Sequence, residues 1–442
     1  MISDLQEAFE ALQGKQRHVK KMYDYYDGNQ PLMYTATRLR EVFENRCARF
    51  SQNWCAVVVN SILDRLEITG WDAEDRARNA KLDELWSDLH IGIEADEVHE
   101  AMAVTGEGFI IVGTDEAGNP EVYQNHPANV FVRYQDSSPA KKKYAAKWYV
   151  DGDYTRIILY YEDRFENYFA KGKPEDIVSY TSFQFDETES GTNPTGIIPV
   201  FHFRNSRRGL KSELDNVIPI QDAINKLLGD MMVTAEFNAF PARYIITNAN
   251  IDTLKNAPNE IWSIPAAIRA DEQGTSVGTL EAADLSNYSN QISELANSIA
   301  VITRTPKHYF YGADGQPSGE ALIAMEAPLS KKARKTQQLL DPIWSDVGAY
   351  LLLLSGFGDV RLQDITPVWA PVESIQPKTQ AEIRTENIKS GLALSTALRF
   401  EGKSTDEIKQ IMDEKAEEAE QQSTMSEAIL NSVISRTARE NT

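Results

Sequence analysis

The chain has 442 residues, so two or more domains are expected. Its 42% hydrophobic, 25% charged and 9% aromatic residues are typical of a globular protein. The formal charge of −21 argues against ordinary DNA binding, which needs a basic surface to displace counterions from phosphate. No apolar run is long enough for a membrane span and the start lacks the pattern of a secretory signal, so no membrane contact is expected.

Residues 1–105 predict a helical region. Apolar residues such as Phe9 and Leu12 recur in steps of three and four, which is the period of an amphipathic helix. A later segment of the same kind carries Trp54, and we expect it to remain helical until just before Gly70.

Residues 106–211 predict a β-rich region. Short runs of β-branched and aromatic residues, among them FIIV, VFVRY, RIILYY and IIPVFHF, are separated by turn-forming glycine, asparagine and proline. This alternation is typical of an antiparallel meander.

Two amphipathic helices are predicted at 219–237 and 285–303, because apolar residues mark one face of each segment. Residues 239–283 lie between them and are β-like, with the runs RYIIT, EIWSI and TSVGTL. An insert this small has little core of its own, so we expect it to pack on something else, such as neighbouring copies of itself.

The last third begins with a loop at 305–317, TPKHYFYGADGQP, and continues in a long helical segment over 318–354. Pro328 and Pro342 lie inside that segment and predict kinks. Three further prolines, at 367, 371 and 377, predict a linker, and the tail beyond them is polar and helical in pattern.

The stretch 401–405, EGKST, resembles the end of a phosphate-binding P-loop but lacks its context. The full motif needs a glycine where Ala397 stands, and no strand precedes it. A better interpretation is that Gly402 ends one helix and residues 404–407 form a capping box that opens the next. We therefore expect no ATP hydrolysis.

No catalytic or metal-binding constellation is evident. His90, Glu94 and His99 fit none of the compact zinc spacings, and the remaining histidines are scattered. Cys47 and Cys55 lie in apolar helical surroundings, where a core role is usual, and they are too few for a disulfide framework. The sequence predicts no enzyme, no cofactor and no metal.

Two other motifs have structural interpretations. Gly106 and Gly108 follow a helix and precede a strand, the reverse of a dinucleotide-binding loop, so they predict a helix C-cap that leads into a hairpin. The basic cluster 330–335, SKKARK, could face a phosphate backbone, but a solvated face or pairing with acids on a neighbour is favoured.

Over nearly its whole length the chain resembles the portal proteins of long-tailed bacteriophages. Four stretches carry the resemblance: NWCAVVVNSILDRLEITGW (53–71), AVTGEGFIIVG (103–113), the segment 197–232 that begins IIPVFHFRN, and the segment 303–335 that begins TRTPKHYFYG. None is a catalytic signature, and their order and separation make the resemblance specific. It implies an α+β portal fold with a wing of helices and strands, a two-helix stem, a small β-containing clip, a long kinked helix and a helical crown.

The resemblance also assigns the regions of the chain. They are a wing at 1–211 (helical over 1–105, β-rich over 106–211), a stem helix at 212–238, a clip at 239–283, a second stem helix at 284–304, a tunnel loop at 305–317, a long kinked helix with a return to the wing at 318–377, and a helical crown at 378–442.

The function implied by the resemblance is that of a ring subunit at the portal vertex of a virion. Double-stranded DNA would pass non-specifically through the ring during packaging and ejection. The implied partners are further copies of the chain in a dodecamer, the terminase large subunit, a head-completion adaptor, and the major capsid and scaffolding proteins, with assembly in the host cytoplasm. Two alternatives stay open: a structural or minor head protein without a channel, and an unrecognised enzyme with its site in the β region.

The resemblance also locates candidate functional residues. In the loop, the candidates for the closest approach to DNA are Lys307, His308, Tyr309 and Tyr311, unless these residues only pack the loop against its neighbours. Acidic candidates for the tunnel wall are Asp222, Asp230 and Glu294. Candidates for docking at the clip are Asn256, Asn259, Glu260 and Trp262. An acidic wall suits a conduit, since tight neutralisation of phosphate would slow sliding DNA.

Overall fold

The computed structural model describes residues 3–31, 52–115, 117–238, 243–246, 276–279, 284–311, 319–358, 364–373, 377–401, 403 and 407–417. Its α-helices are α1 (Asp4–Tyr26), α2 (Trp54–Leu63), α3 (Arg76–Asp88), α4 (Ile91–Thr105), α5 (Ile218–Asn238), α6 (Ser286–Thr303), α7 (His308–Tyr311), α8 (Gly319–Leu354), α9 (Pro377–Lys389) and α10 (Leu394–Phe400). Residues 407–417 are also helical.

The strands are β1 (Ile68–Ala73), β2 (Glu107–Thr114), β3 (Pro120–Asn125), β4 (Val130–Gln135), β5 (Ser138–Asp151), β6 (Tyr154–Tyr160), β7 (Arg164–Lys171), β8 (Gln184–Thr192), β9 (Val200–Arg204), β10 (Arg243–Ile246), β11 (Ser276–Thr279) and β12 (Ile365–Trp369). Short 3₁₀ turns lie at Pro127–Asn129 and Tyr180–Ser182. The mixed α+β class predicted from the sequence is confirmed.

The β-rich region is a meander, as predicted. Strands β4 to β8 form one antiparallel sheet in chain order, and β2 pairs with β3 and β9 in a second sheet. Helix α1 begins at the N-cap Ser3, whose hydroxyl accepts a hydrogen bond from the backbone N–H of Gln6 at 3.2 Å. The apolar face of α1 covers the larger sheet, where Phe9 meets Trp148 and Phe183 edge to face.

The region 1–105 is not wholly helical, and here the prediction was wrong. Helix α2 ends at Leu63, and strand β1 pairs antiparallel with β12, with Trp71 opposite Pro367. The indole of Trp71 is fully buried and donates to the carbonyl oxygen of Trp344 at 2.9 Å. Burying that aromatic ring selects the strand. The predicted linker is wrong at Pro367, because a two-stranded ribbon leaves an edge where a residue without an N–H is tolerated.

The two glycines after α4 act as predicted. Gly106 is the C-cap of α4 with φ of 93°, and β2 then forms a hairpin with β3. A Cβ on Gly108 would lie 2.5 Å from the carbonyl oxygen of Val98, so strand and helix approach closely only because this residue is glycine.

The central order of elements is also confirmed. Helices α5 and α6 coincide with the predicted 219–237 and 285–303, and the described residues of the segment between them are the antiparallel pair β10–β11. Helix α8 continues through Pro328 and Pro342, with its second half buried around Trp344 in the largest core. Within the described ranges, no helix combines the length and apolarity that a membrane crossing requires.

The polar tail is helical, as predicted, where the structure describes it. Helix α10 ends at Phe400 and is capped at Glu401, which agrees with a helix end at Gly402. Gly402 and residues 404–406 themselves, and so the predicted capping box, lie outside the described residues.

Candidate functional site

Helices α5 and α6 pack along their apolar stripes. Ile224 and Leu228 on α5 share one core with Ile292 and Ile299 on α6. Trp54 of α2 packs in the same core. The sequence left open which helix faces would be free. Within one chain, most of the two apolar stripes pack against each other and against α2, while Met232 on α5 and Val301 and Ile302 on α6 stay exposed beside the polar residues.

The outward faces of this helix pair are almost without positive charge. Lys226 is the single cationic residue within α5 and α6. Its ammonium group lies 2.5 Å from the carboxylate of Asp230, one helical turn away. One exposed position of α6 carries a carboxylate and none carries a positive charge. These exposed positions are Ser286, Asn287, Ser289, Asn290, Gln291, Glu294, Ser298, Val301 and Ile302. Such a surface attracts phosphate only weakly.

Asp222 differs from the other two predicted wall acids. Its side chain is 8% exposed and accepts a hydrogen bond from the hydroxyl of Tyr25 on α1 at 2.8 Å. Burial raises the pKa of Asp222, although the hydrogen bond from Tyr25 opposes the shift. Within one chain this carboxylate joins α5 to α1, whereas Asp230 is half-buried beside Lys226 and Glu294 is exposed.

The structure divides the four loop candidates into two pairs. Lys307 is exposed, and Tyr311 is 50% exposed with its ring edge-on to Trp54 at 5.3 Å. His308 and Tyr309 instead turn toward the rest of the chain. Lys307 and Tyr311 are therefore the more exposed pair.

The inward pair contacts residues that sequence reasoning missed. The hydroxyl of Tyr309 accepts a hydrogen bond from Arg65 at 2.9 Å, and His308 Nε2 lies 3.7 Å from a carboxylate oxygen of Glu326. Arg65 and Glu326 also contact each other at 3.1 Å. A pairing between residues so distant in the chain leaves no local sequence signal.

The clip candidates Asn256, Asn259, Glu260 and Trp262 lie outside the described residues, so their role stays a prediction.

The basic cluster 330–335 is partly paired with acids, which is the favoured interpretation. Lys332 contacts Glu213 at 2.5 Å and the carbonyl oxygen of Thr303 at 3.1 Å, and Arg334 pairs with Glu373. The remaining two cations of the cluster, Lys331 and Lys335, are exposed.

Two of the three residues considered for metal binding, His99 and Glu94, have other partners. His99 is fully buried, and its Nε2 accepts a hydrogen bond from the indole of Trp344 at 3.0 Å. Burial lowers the pKa of His99 to about 3. Glu94 accepts from the backbone N–H of Gln124. In the part of the chain that the structure describes, no group of three or more histidine, cysteine or acidic side chains could hold a metal ion.

A cavity of about 530 Å³ lies between α1, α2 and α4 and is strongly acidic. Its lining residues are Tyr26, Asn60, Leu63, Asp64, Glu67, Asp96, Glu97, His99 and Glu100. Burial raises the pKa of Asp96 and of Glu100. A lining of this charge repels phosphate groups, so the cavity does not suit a nucleotide.

The helix pair α5 and α6 and the short loop after it thus present exposed residues at the surface of the chain. The chain belongs to the phage portal proteins, since the family model described as "Phage portal protein, SPP1 Gp6-like" matches residues 10–421. It is similar to the portal protein of Mycobacterium phage D29, with 23% identity over 382 residues, 79% of this chain and 77% of that protein. It is also similar to the portal protein of Mycobacterium phage L5, with 23% identity over 208 residues, 44% of this chain and 43% of that protein.

Family membership has two direct consequences. Portal proteins are structural, so the chain is not an enzyme. The family also implies a homo-oligomeric ring that associates with a vertex of the viral capsid.

Proposed function

We propose that the chain is the portal vertex subunit of a tailed phage, and that its ring is the channel through which double-stranded DNA enters and leaves the capsid. The observation that carries this proposal is the order α5, β10–β11, α6, α7, α8 within a chain that matches the portal family over residues 10–421. The same ring would dock the terminase during packaging and the head-tail adaptor afterwards.

In this proposal α5 and α6 form the stem, and residues 239–283 form the clip. The loop 305–317 reaches the tunnel, residues 1–211 with β12 form the wing, and the residues from 378 onward form the crown. The pairing of β12 with β1 supports the wing assignment, because it returns the chain to the N-terminal region after the long helix α8.

The stem surface suits DNA that must slide. Each phosphate contact made by a cation adds counterion release and therefore affinity. Lys226, the cation within α5 and α6, is paired with Asp230, and Arg304 follows directly at the end of α6. Most exposed positions of α6 carry neutral side chains, and Glu294 is the carboxylate among them. Asp230 and Glu294 are therefore our proposed wall acids, while Asp222 is proposed to hold α5 against α1.

The loop supplies the closest contacts. Lys307 is proposed to touch phosphate transiently, and Tyr311 to present a partly exposed ring beside it. His308 and Tyr309 are proposed to shape the loop from behind rather than to face DNA, because both turn toward Arg65 and Glu326.

Two experiments test the proposal. Negative-stain microscopy of the purified protein should show rings with a central hole, and a monomer under all assembly conditions would argue for a structural protein without a channel. Packaging with an intact terminase should fall, or packaged DNA should leak, in Lys307→Ala and Tyr311→Ala rings. Lys173→Ala, at an exposed turn of the wing, is the matched control and should package normally. Normal packaging and retention in both loop variants would contradict the loop assignment.

Clip docking can be tested separately. Trp262→Ala and Glu260→Ala rings should form normally but bind the terminase large subunit or the adaptor more weakly in pull-down assays. Unchanged binding of both partners in both variants would remove these residues from the docking surface.

A further inference from the structure

Arg65 joins three separate regions of the chain. It follows α2, and its side chain is 7% exposed. One guanidinium nitrogen donates to the carbonyl oxygen of Ser61 at 2.9 Å. The other donates to the hydroxyl of Tyr309 at 2.9 Å and to the carboxylate of Glu326 at 3.1 Å. A single side chain therefore holds the wing, the turn α7 and the beginning of α8 together.

The beginning of α8 has little apolar contact of its own. In the segment 321–327, Ile323 is 53% exposed, Met325 is 41% exposed and Leu322 is half-buried, whereas Leu329, directly after Pro328, is fully buried. Pro328 has no N–H to offer the carbonyl oxygen of Ala324, so the helix lacks one hydrogen bond where this arm joins the buried remainder of α8. The arm can therefore move at Pro328 unless another contact fixes it.

Glu326 turns toward the protein interior, where it meets Arg65 and approaches His308. A guanidinium buried to this degree has lost most of its hydration, so it depends on its partners. Its Nε has no hydrogen-bond partner among the described residues, which leaves the two terminal nitrogens to make the contacts. Loss of Glu326 would leave the charge uncompensated, and the whole cluster would loosen together.

We propose that Arg65 is a positioning residue that fixes the loop turn α7, and that its ion pair with Glu326 is a latch that holds residues 319–327 against the wing. The latch sets the direction in which Lys307 and Tyr311 leave the subunit. Its relevance to DNA rests on the proposed function, whereas the latch itself is a property of the single chain. Opening it frees the loop and the arm at Pro328 without disturbing the core around Trp344.

Hydrogen exchange of the assembled ring, measured by mass spectrometry, tests the latch without DNA. Arg65→Met and Glu326→Gln should speed exchange in peptides covering 305–311 and 319–327 by about tenfold, the size expected when one partly buried coupling is removed. Tyr309→Phe removes one hydroxyl and should affect only 305–311. The matched control is Arg334→Met on the same helix, whose partner is Glu373 and whose side chain is 56% exposed; it should change neither peptide.

The outcomes separate the latch from the function. Unchanged exchange in Glu326→Gln overturns the latch, and this variant decides the question if Arg65→Met does not assemble. Faster exchange confined to the two peptides, with the thermal midpoint of the ring preserved, supports it. Packaging and retention of DNA are then measured in Glu326→Gln rings. Impaired packaging supports the positioning role, while normal packaging with a loosened loop overturns that role and counts against the DNA-facing loop as well.

Discussion

A buried cluster of charges between α1 and the smaller sheet provides a stringent test of the fold. Glu107 contacts the ammonium of Lys15 at 2.7 Å through one carboxylate oxygen and Nε2 of His202 at 3.1 Å through the other. The side chains of Lys15 and Glu107 are 13% and 8% exposed. Since a carboxylate only accepts, His202 donates from Nε2, and its Nδ1 then accepts from the hydroxyl of Tyr134 at 3.1 Å.

Glu107→Gln removes the charge and keeps the shape. Breaking a buried ion pair at one partner costs about 3–5 kcal/mol, because the other charge stays buried. Lys15 also donates to the carbonyl oxygen of Val130, so the lower end, about 3 kcal/mol of unfolding free energy, is expected. Lys15→Met combined with Glu107→Gln should cost less than Glu107→Gln alone, since neither charge then remains unpaired.

The assay is urea-induced unfolding at pH 7.5 and one fixed protein concentration, with Glu187→Gln on the exposed face of β8 as the control. If the unfolding free energies of Glu107→Gln and of the control differed by less than about 0.5 kcal/mol, the reasoning would be refuted. A double variant less stable than Glu107→Gln would refute it as well, because it would mean that Lys15 stabilises the fold without its partner.

The pH dependence of the same cluster has a definite sign. Burial alone would raise the pKa of Glu107, but the hydrogen bond from His202 and the charge of Lys15 outweigh it and hold the pKa below the ordinary 4.5. Its stabilisation is therefore present above pH 4.5 and is lost as the pH falls through the lower folded value. Burial lowers the pKa of His202 below 6.5, against the opposing Glu107, so protonation favours the unfolded chain. The free energy of unfolding of the wild type should begin to fall below pH 6.5. The difference in this free energy between wild type and Glu107→Gln should narrow only below pH 4.5.

Two further predictions concern packing and reactivity. Gly108→Ala should lower the free energy of unfolding, measured in urea, by at least about 2 kcal/mol. The new Cβ would lie 2.5 Å from the carbonyl oxygen of Val98 and 2.8 Å from its Cγ2. Gly113 on the same strand has open space around it, so Gly113→Ala should leave the free energy of unfolding nearly unchanged. Equal effects of the two substitutions would contradict the close approach of β2 and α4. Burial, with a smaller contribution from the charge of Asp222, raises the pKa of Cys55 to about 12. In a Cys47→Ser background, a thiol reagent at pH 8 should therefore label Cys55 only after denaturant is added. Rapid labelling of the folded protein would show that α2 is not packed as described.

The sequence predicted the elements far better than their contacts. Periodicity located α5, α6 and α8 closely, because their apolar stripes are long and regular. Periodicity did not predict β1, which is six residues long and contains Gly70. Its partner strand lies near residue 367, so the pairing leaves no signal in the local sequence. Pro367 suggested a linker because proline is uncommon in strands, yet the two-stranded ribbon tolerates it. Tertiary pairing overrides local propensity in such short segments.

The candidate site shows the same limit more sharply. Lys307, His308, Tyr309 and Tyr311 form one run in the sequence, but the structure turns the middle two inward, because Arg65 lies where it can reach the hydroxyl of Tyr309. No periodicity encodes a contact between residues 65 and 309. The division of the loop into an inward and an outward pair therefore depends on the three-dimensional fold.

For the proposed channel, the pairing of Lys226 and Lys332 with acids supports weak contact with DNA more directly than the net charge does. A chain of charge −21 could still carry a basic stripe along one face. On the stem helix Lys226 contacts Asp230, and Lys332 contacts Glu213, whereas Lys331 and Lys335 are exposed on α8. Lys226 and Lys332 each have a carboxylate of the same chain at 2.5 Å. A DNA phosphate would have to compete with that carboxylate for the ammonium group. Lys307 is exposed at the loop, which is why we propose it for the brief contact with a moving duplex.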